Sequence, residues 1–364
     1  MKRVRAYGPA GIGNLAAGFD VLGAAVAPAD GEPWGDIVEI SEIGEIGETG
    51  EINGEIGEPR PQAPEAGPDV TLVCDGPFAH QLPADPAENV AVKACAAVAR
   101  VVRTARAARG GQGAAGAAVA RNAIGLAWPL PRLALRLTKG LPVGSGLGSS
   151  SATVVAVVRA LDELLGRPLD DAGLLAAAGE AEAHAAGAVH LDNVAAALLG
   201  GLRLVDPGGS ARLLPFPDDL RFVLAVPALT LTTRAARAAL PATVPLGLAV
   251  AHAQNLAALV HALHAGDREL LRACLRDLLA EPHRAALVPG FREVQAAGLA
   301  AGAWGCSLSG AGPAVFAVVE AGVAPAVGEA LRQAWAGAGV ACETKVCVLD
   351  RRGARELKQD ETCG

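Results

Sequence analysis

The sequence predicts an α+β protein built as two domains, and three observations carry that expectation. At 364 residues the chain is longer than one hydrophobic core ordinarily supports. Short strand-like runs are interleaved with helical ones in both halves. A turn-forming stretch, PGGS at 207 to 210, separates the halves and places the domains at 1 to 207 and 208 to 364.

The first half holds the β-type runs RVRAY (3 to 7), DIVEI (36 to 40), VTLVC (70 to 74) and RLALRL (132 to 137), with a helix from about Asn89 to Ala107. From Ser151, ATVVAVVRALDELLG reads as a helix that stops at Gly166, where a glycine is the expected C-terminal signal. Helical patterns follow at 172 to 186 and 192 to 199, then the strands LRLV (202 to 205) and FVLAVP (222 to 227). The second half reads as helices near 234 to 240, 247 to 265, 267 to 280, 291 to 301 and 324 to 337. Its strands are WGCSLS, AVFAVVE and ETKVCVL.

One segment stands apart, ISEIGEIGETGEINGEIGEPRPQAPEAGPD at 40 to 69. Its Gly-Glu-Ile repeat is not collagen-like, because proline is missing from the triplet and the period slips at Asn53. Dense glutamate among glycine and proline cannot bury enough apolar surface to order itself, so 42 to 69 is expected to be an acidic, mobile insertion.

Hydrophobic residues make up 51% of the chain but aromatics only 3%, so the core must be close-packed Ala, Val and Leu. A net charge of -7 argues against a broad nucleic-acid or anionic-membrane surface and favours a small-molecule partner. The seven cysteines form no CxxC pair and are odd in number, which suits reduced thiols in the cytoplasm. No secretory h-region and no run of about eighteen uncharged apolar residues is read, so neither secretion nor membrane spanning is expected.

The most informative stretch is LPVGSGLGSSSATVV, 141 to 155. It follows a strand-like run and opens a helix, so its bare amides meet the positive end of a helix dipole, a general anion site. It is neither a Walker A loop, lacking GK[ST], nor a dinucleotide fingerprint. Pro142, Gly144, Ser145, Gly146, Leu147, Gly148, Ser149, Ser150 and Ser151 are the candidate nucleotide-binding residues. The hydroxyls add oxygen ligands for Mg²⁺ and donors to phosphoryl oxygens. The bland alternative is a flexible Gly/Ser turn with a serine cap.

Together with YGPAGIGNLAAGFDVLGAAV near the N-terminus and SLSGAGPAVFAV at 307 to 318, this loop resembles the three motifs of the galactokinase, homoserine kinase, mevalonate kinase and phosphomevalonate kinase (GHMP) superfamily. The resemblance covers nearly the whole chain. The acidic insertion and an Ala/Gly-rich stretch near 104 to 127 depart from it. It implies the two-domain GHMP kinase fold, with an N-terminal domain like the second domain of ribosomal protein S5 and a ferredoxin-like C-terminal domain. Within the superfamily, GNLAAGFDVLG, AVHLDNVAAALLGG and the pair TTRAAR with EPHR look most like homoserine kinases. That similarity implies ATP-dependent phosphorylation of the side-chain hydroxyl of L-homoserine, a step toward threonine, with Mg²⁺ and a homodimer.

Carried over residue by residue, the resemblance gives Arg237 and Arg284 the substrate carboxylate, a role that suits planar bidentate donors. Asn14 and Asp20 match positions at the amino acid's polar groups. Asp20 lies in the apolar run FDVLGAAV, where an unpaired charge is costly, and a bound ammonium would compensate it. His190 and Asn193 match substrate contacts, with a packed or capping histidine as the plain alternative for His190. Glu182, paired with Ser150, matches the Mg²⁺ ligand, while Glu180 is expected on a solvated face. Thr233 matches a threonine near the transferred phosphoryl group, and Gly310 belongs to the third-motif loop with Ser309, Ala311 and Gly312. Asn89 matches a position near the adenine, though an N-cap explains it equally well. The catalytic set is Asn193, Thr233 and Arg237. Asn193 cannot accept a proton and Asp192, one residue away on the helix, is expected to face elsewhere, so no side-chain base is expected. Competing readings are a kinase for another small alcohol and a non-catalytic nucleotide-dependent sensor on the same fold.

Overall fold

A computed structural model describes residues 2–43, 69–110, 132–186 and 191–358. The bulk of the acidic insertion, most of the Ala/Gly-rich stretch and His190 lie outside them. The first half contains strands β1 (Arg3–Gly13), β2 (Leu22–Pro28), β3 (Gly35–Ile43), β4 (Val70–Asp75) and β5 (Arg132–Thr138). Helices α1 (Val90–Gly110), α2 (Ser149–Leu164), α3 (Asp171–Ala186) and α4 (Leu191–Leu199) accompany them. A hairpin, β6 (Leu202–Val205) and β7 (Ala211–Leu214), contains the expected junction in its turn. The second half comprises β8 (Leu220–Pro227), α5 (Thr233–Ala238), α6 (Leu246–Ala265), α7 (Arg268–Cys274), α8 (Glu281–Arg284), α9 (Phe291–Ala300), β9 (Gly305–Leu308), β10 (Val315–Glu320), α10 (Ala324–Gly337), β11 (Cys342–Leu349) and β12 (Arg355–Glu356).

The strands join into one sheet, ordered β4-β5-β3-β1-β2-β11-β8-β10-β9. Strand β1 spans two parts of the sheet within the first half: residues 3–9 pair with β3, and residues 10–13 pair with β2. In the second half β8, α9, β9, β10, α10 and β11 follow a β-α-β-β-α-β path with strand order β11-β8-β10-β9, which is the ferredoxin-like arrangement. The chain then returns, β11 onto β2 and β12 onto β1.

Small residues set the packing. A Cβ on Gly8 of β1 would lie 2.0 Å from the carbonyl oxygen of Ala152 in α2, so the helix rests directly on the strand's backbone. Ala, Val and Leu of α1 to α4 fill one core against β1, β3 and β5, as composition requires. A second core lies under β2 and β8 against α6 and α7, and a third between the ferredoxin-like sheet and α9 and α10.

Several elements differ from the sequence expectation. Strand β2, LGAAVAP, shows no alternation because six of its seven residues are buried, and β1 continues through GPAGIG to Gly13. The helix expected over 267 to 280 stops at Cys274. There the Asp277 carboxylate accepts the N–H groups of Leu279, Ala280 and Glu281 at 2.7 to 2.9 Å and turns the chain into α8. Helix α6 corrects the expectation that no long uncharged run exists, for by length and composition it could cross a bilayer. It packs through Asn255, Leu259, Ala262 and Leu263, and the Asn255 amide ties it to the carbonyls of Cys274 and Arg276.

Candidate active site

The loop between β5 and α2 is the first part of the site. Gly144, Gly146 and Gly148 have φ of 68°, 85° and 65°, in the left-handed region that favours glycine, while the residues between them do not. Four successive carbonyls are tied to the protein body: Gly144 to the N–H of Leu231, Ser145 to that of Ala314, Gly146 to the Ser309 hydroxyl and Leu147 to the N–H of Gly11. A trans peptide opposes its C=O and its N–H, so this anchoring turns the following amides the other way. Left-handed and right-handed residues in alternation make such amides converge on an anion. Gly148, the N-cap of helix α2, brings no capping side chain, so the loop and the helix N-terminus share one electropositive face. Ser145 and Ser149 turn their hydroxyls to the carbonyls of Pro142 and Leu141, and Ser151 is buried.

The adjoining cleft is open to solvent and is lined by Asn14, Asp20, Glu182, Asp192, Asn193, Thr233, Arg237, Arg284, Gly310 and Ala311. Asn14 and Gly310, 296 positions apart in sequence, thus meet in one place. The Ser150 hydroxyl donates to Glu182 at 3.0 Å, at the edge where loop and cleft join. Glu180, expected on a solvated face, instead pairs with Arg100 of α1. Asn89 is buried and caps α1, its Oδ1 accepting from the N–H of Ala91 at 2.9 Å.

Asn14, at φ 59°, is the knot of the cleft. Its backbone N–H donates to Asp192 (3.2 Å), its Nδ2 to the Gly310 carbonyl (3.0 Å), and its Oδ1 accepts the N–H of Asp20 (2.9 Å). Gly310 in turn donates to the Gly13 carbonyl and accepts from Arg284 at 2.9 Å. The helix argument that turned Asp192 away is therefore corrected: both Asp192 and Asn193 border the cleft, because α4 points its first turn into it. A Cβ on Gly13 would fall 2.5 Å from Asn193 Oδ1, so a side chain there would displace Asn193.

Asp20 already has a cationic partner. Arg237 holds it bidentately, at 2.7 and 3.1 Å, in a half-buried pair. The guanidiniums of Arg237 and Arg284 both lie over the ring of Phe19, at 5.3 and 5.2 Å from its centre, so this ring positions two cations at once. Sequence reading did not single out Phe19; its position next to Asp20 was the available signal. Arg284 is 4% exposed, and burial lowers its pKa, an effect opposed by the carboxylates of Asp277, Asp20 and Asp192. Its helix α8 is held by Glu281, which accepts from Ser307, Gln295 and Arg292; burial pushes the Glu281 carboxyl up from its ordinary value of 4.5. The cleft can therefore hold a small ligand bearing both a carboxylate and a cation beside an anion-binding loop.

Residues 103–201 match the N terminal domain of the GHMP kinases, and residues 259–337 their C terminal domain. The chain is 30% identical to homoserine kinase from Cytophaga hutchinsonii, with 98% of each chain covered and a TM-score of 0.79. A candidate homoserine kinase of Listeria monocytogenes is 22% identical over 98% of this chain and 99% of that one, with a TM-score of 0.59. For L. major mevalonate kinase in complex with R-mevalonate the identity is 16%, the coverage 97% of each chain and the TM-score 0.60. The last two likenesses speak for the fold alone. With a full-length relative, both domain matches and a loop shaped for phosphate beside a polar cleft, the chain belongs to the GHMP kinases, which use ATP to phosphorylate a small molecule.

Proposed function

We propose that this kinase transfers the γ-phosphoryl group of ATP to the side-chain hydroxyl of L-homoserine, giving O-phospho-L-homoserine and ADP. The observation that carries the proposal is the cleft's charge pattern: two guanidiniums and one carboxylate around a common ring. A zwitterion exchanges one ion pair for two. Its carboxylate replaces Asp20 on Arg237, and its ammonium takes the Asp20 carboxylate released by that exchange. Mevalonate and sugars carry no ammonium to complete it.

Ser150 and Glu182 form a pair of hard oxygen donors suited to Mg²⁺, which takes one or two carboxylates plus phosphate oxygens rather than a protein cage. The ion, when bound, supplies neutralisation of charge on the phosphoryl oxygens. The loop amides and the α2 N-terminus share that task. Arg237, Arg284, Asp20 and Asn14 orient the acceptor, and Asn193 and Thr233 stand beside its hydroxyl end. Asp192 is engaged by Asn14, and the hydroxyl proton leaves to a phosphate oxygen or to water.

A coupled assay of ADP release with Mg-ATP, offering L-homoserine, L-threonine, L-serine, mevalonate and galactose, tests the proposal. Turnover confined to L-homoserine supports it. Preference for another alcohol removes the substrate assignment, and tight ATP binding without turnover favours a nucleotide sensor.

A further inference from the structure

Beneath the loop lies an ion pair that the chemistry above does not use. Lys139, which follows β5, and Asp36, at the start of β3, are 1% and 0% exposed, with Nζ to Oδ2 at 2.5 Å. Between them they direct hydrogen bonds to both ends of the loop. Asp36 Oδ1 accepts the N–H groups of Gly140 and Leu141, at 3.0 and 3.2 Å, on the incoming side. Lys139 donates to the Ser149 carbonyl at 2.8 Å and to Thr153 Oγ1 at 3.1 Å, on the outgoing side, and Thr153 donates to Asp36 at 2.5 Å.

Stability alone does not account for this arrangement. A buried ion pair is ordinarily matched or exceeded in stability by apolar residues of similar volume. A cation held against the first turn of a helix also works against the helix dipole. What the pair does supply is geometry, since it fastens residues 140–141 to residues 149 and 153. The amides between them therefore start from a closed base. Burial lowers the Lys139 pKa, and the charges of Asp36 and Glu182 oppose that shift.

We propose that Asp36 and Lys139 are positioning residues for the nucleotide: a buried clasp that joins the two ends of the 142–148 loop and sets its amides for the phosphates before ATP arrives. The inference rests on the reading of this loop as the phosphate site.

Lys139→Met alone strands a buried carboxylate and risks unfolding. The informative variant is therefore the double, D36N/K139M, which removes both charges of the pair and keeps an oxygen for the N–H groups of Gly140 and Leu141. By calorimetry and steady-state kinetics, its ATP affinity is expected to fall about tenfold or more while the KM for L-homoserine stays within about twofold. Equal weakening of both substrates, or unchanged ATP affinity in the folded variant, overturns the proposal. Hydrogen exchange on the wild-type protein gives a second readout that needs no variant. The amides of Gly140 and Leu141 are expected to be protected without nucleotide, whereas protection gained only on adding ATP would sink the clasp. Wild-type protein that binds no ATP would remove the phosphate reading itself; wild-type binding matched by the double variant removes only the clasp.

Discussion

Arg237 is the residue on which acceptor recognition turns. It holds Asp20 through both carboxylate oxygens, and the proposed exchange moves it onto the substrate carboxylate. A charged hydrogen-bonded contact of this kind contributes about 1.5–3 kcal/mol, or roughly 10- to 100-fold. Steady-state kinetics of Arg237→Ala should show a KM for L-homoserine raised by that factor and a KM for ATP little changed. Glu281 makes a second expectation. Its folded-state pKa is raised above the unfolded 4.5, so its contribution to stability is complete below that pH and is lost as pH rises through the folded value. Melting temperatures of Glu281→Gln and the parent, compared from acid to neutral pH, should shift in the variant's favour as pH rises. At this scale the motifs made Arg237, Arg284, Asp20 and Glu182 legible, because each is a charged residue in a distinctive local pattern. Phe19 and the bridging role of Asn14 were not legible, since both depend on partners far away in sequence.

Among elements, the glycine-serine loop was the most readable, because three glycines at alternate positions free the backbone for left-handed turns that few loops require. Its anchoring was invisible in sequence: the carbonyls are held by residues 11, 231, 309 and 314. Gly146→Ala is expected to abolish measurable ATP binding in calorimetry, for φ is 85° and the new Cβ would sit 2.5 Å from the Ser309 carbonyl oxygen. Strands with one buried and one half-buried face, such as β3 and β5, were legible through alternation. Strand β2 was not, because burial on both faces erases the period. Helix α7 was overestimated because a capping aspartate, Asp277, outcompetes continuation of the apolar pattern.

For the whole molecule, the α+β character and the division into two halves could be read from length and alternation, but the return of the chain could not. Residues after 340 close the sheet from the far end, β11 on β2 and β12 on β1. Arg355 secures that return by lying 4.5 Å over the Tyr7 ring and pairing with the buried Asp350. Removal of both contacts in Arg355→Ala should lower the melting temperature by about 2–6 °C. Unchanged melting would mean that the last strand is held by its ladder alone.

Strand β1 is in effect a girder. One unbroken strand carries two ladders in succession, and a further strand, β11, ties β2 to β8 across the same span. Swinging the halves apart would break the backbone ladders that join them, β11 on β2 and β12 on β1, so the molecule has no easy way to clap shut over its substrates. Water must then be excluded by side chains and loops moving on a stiff frame, and the radius of gyration measured by X-ray scattering should be the same with and without ATP and acceptor.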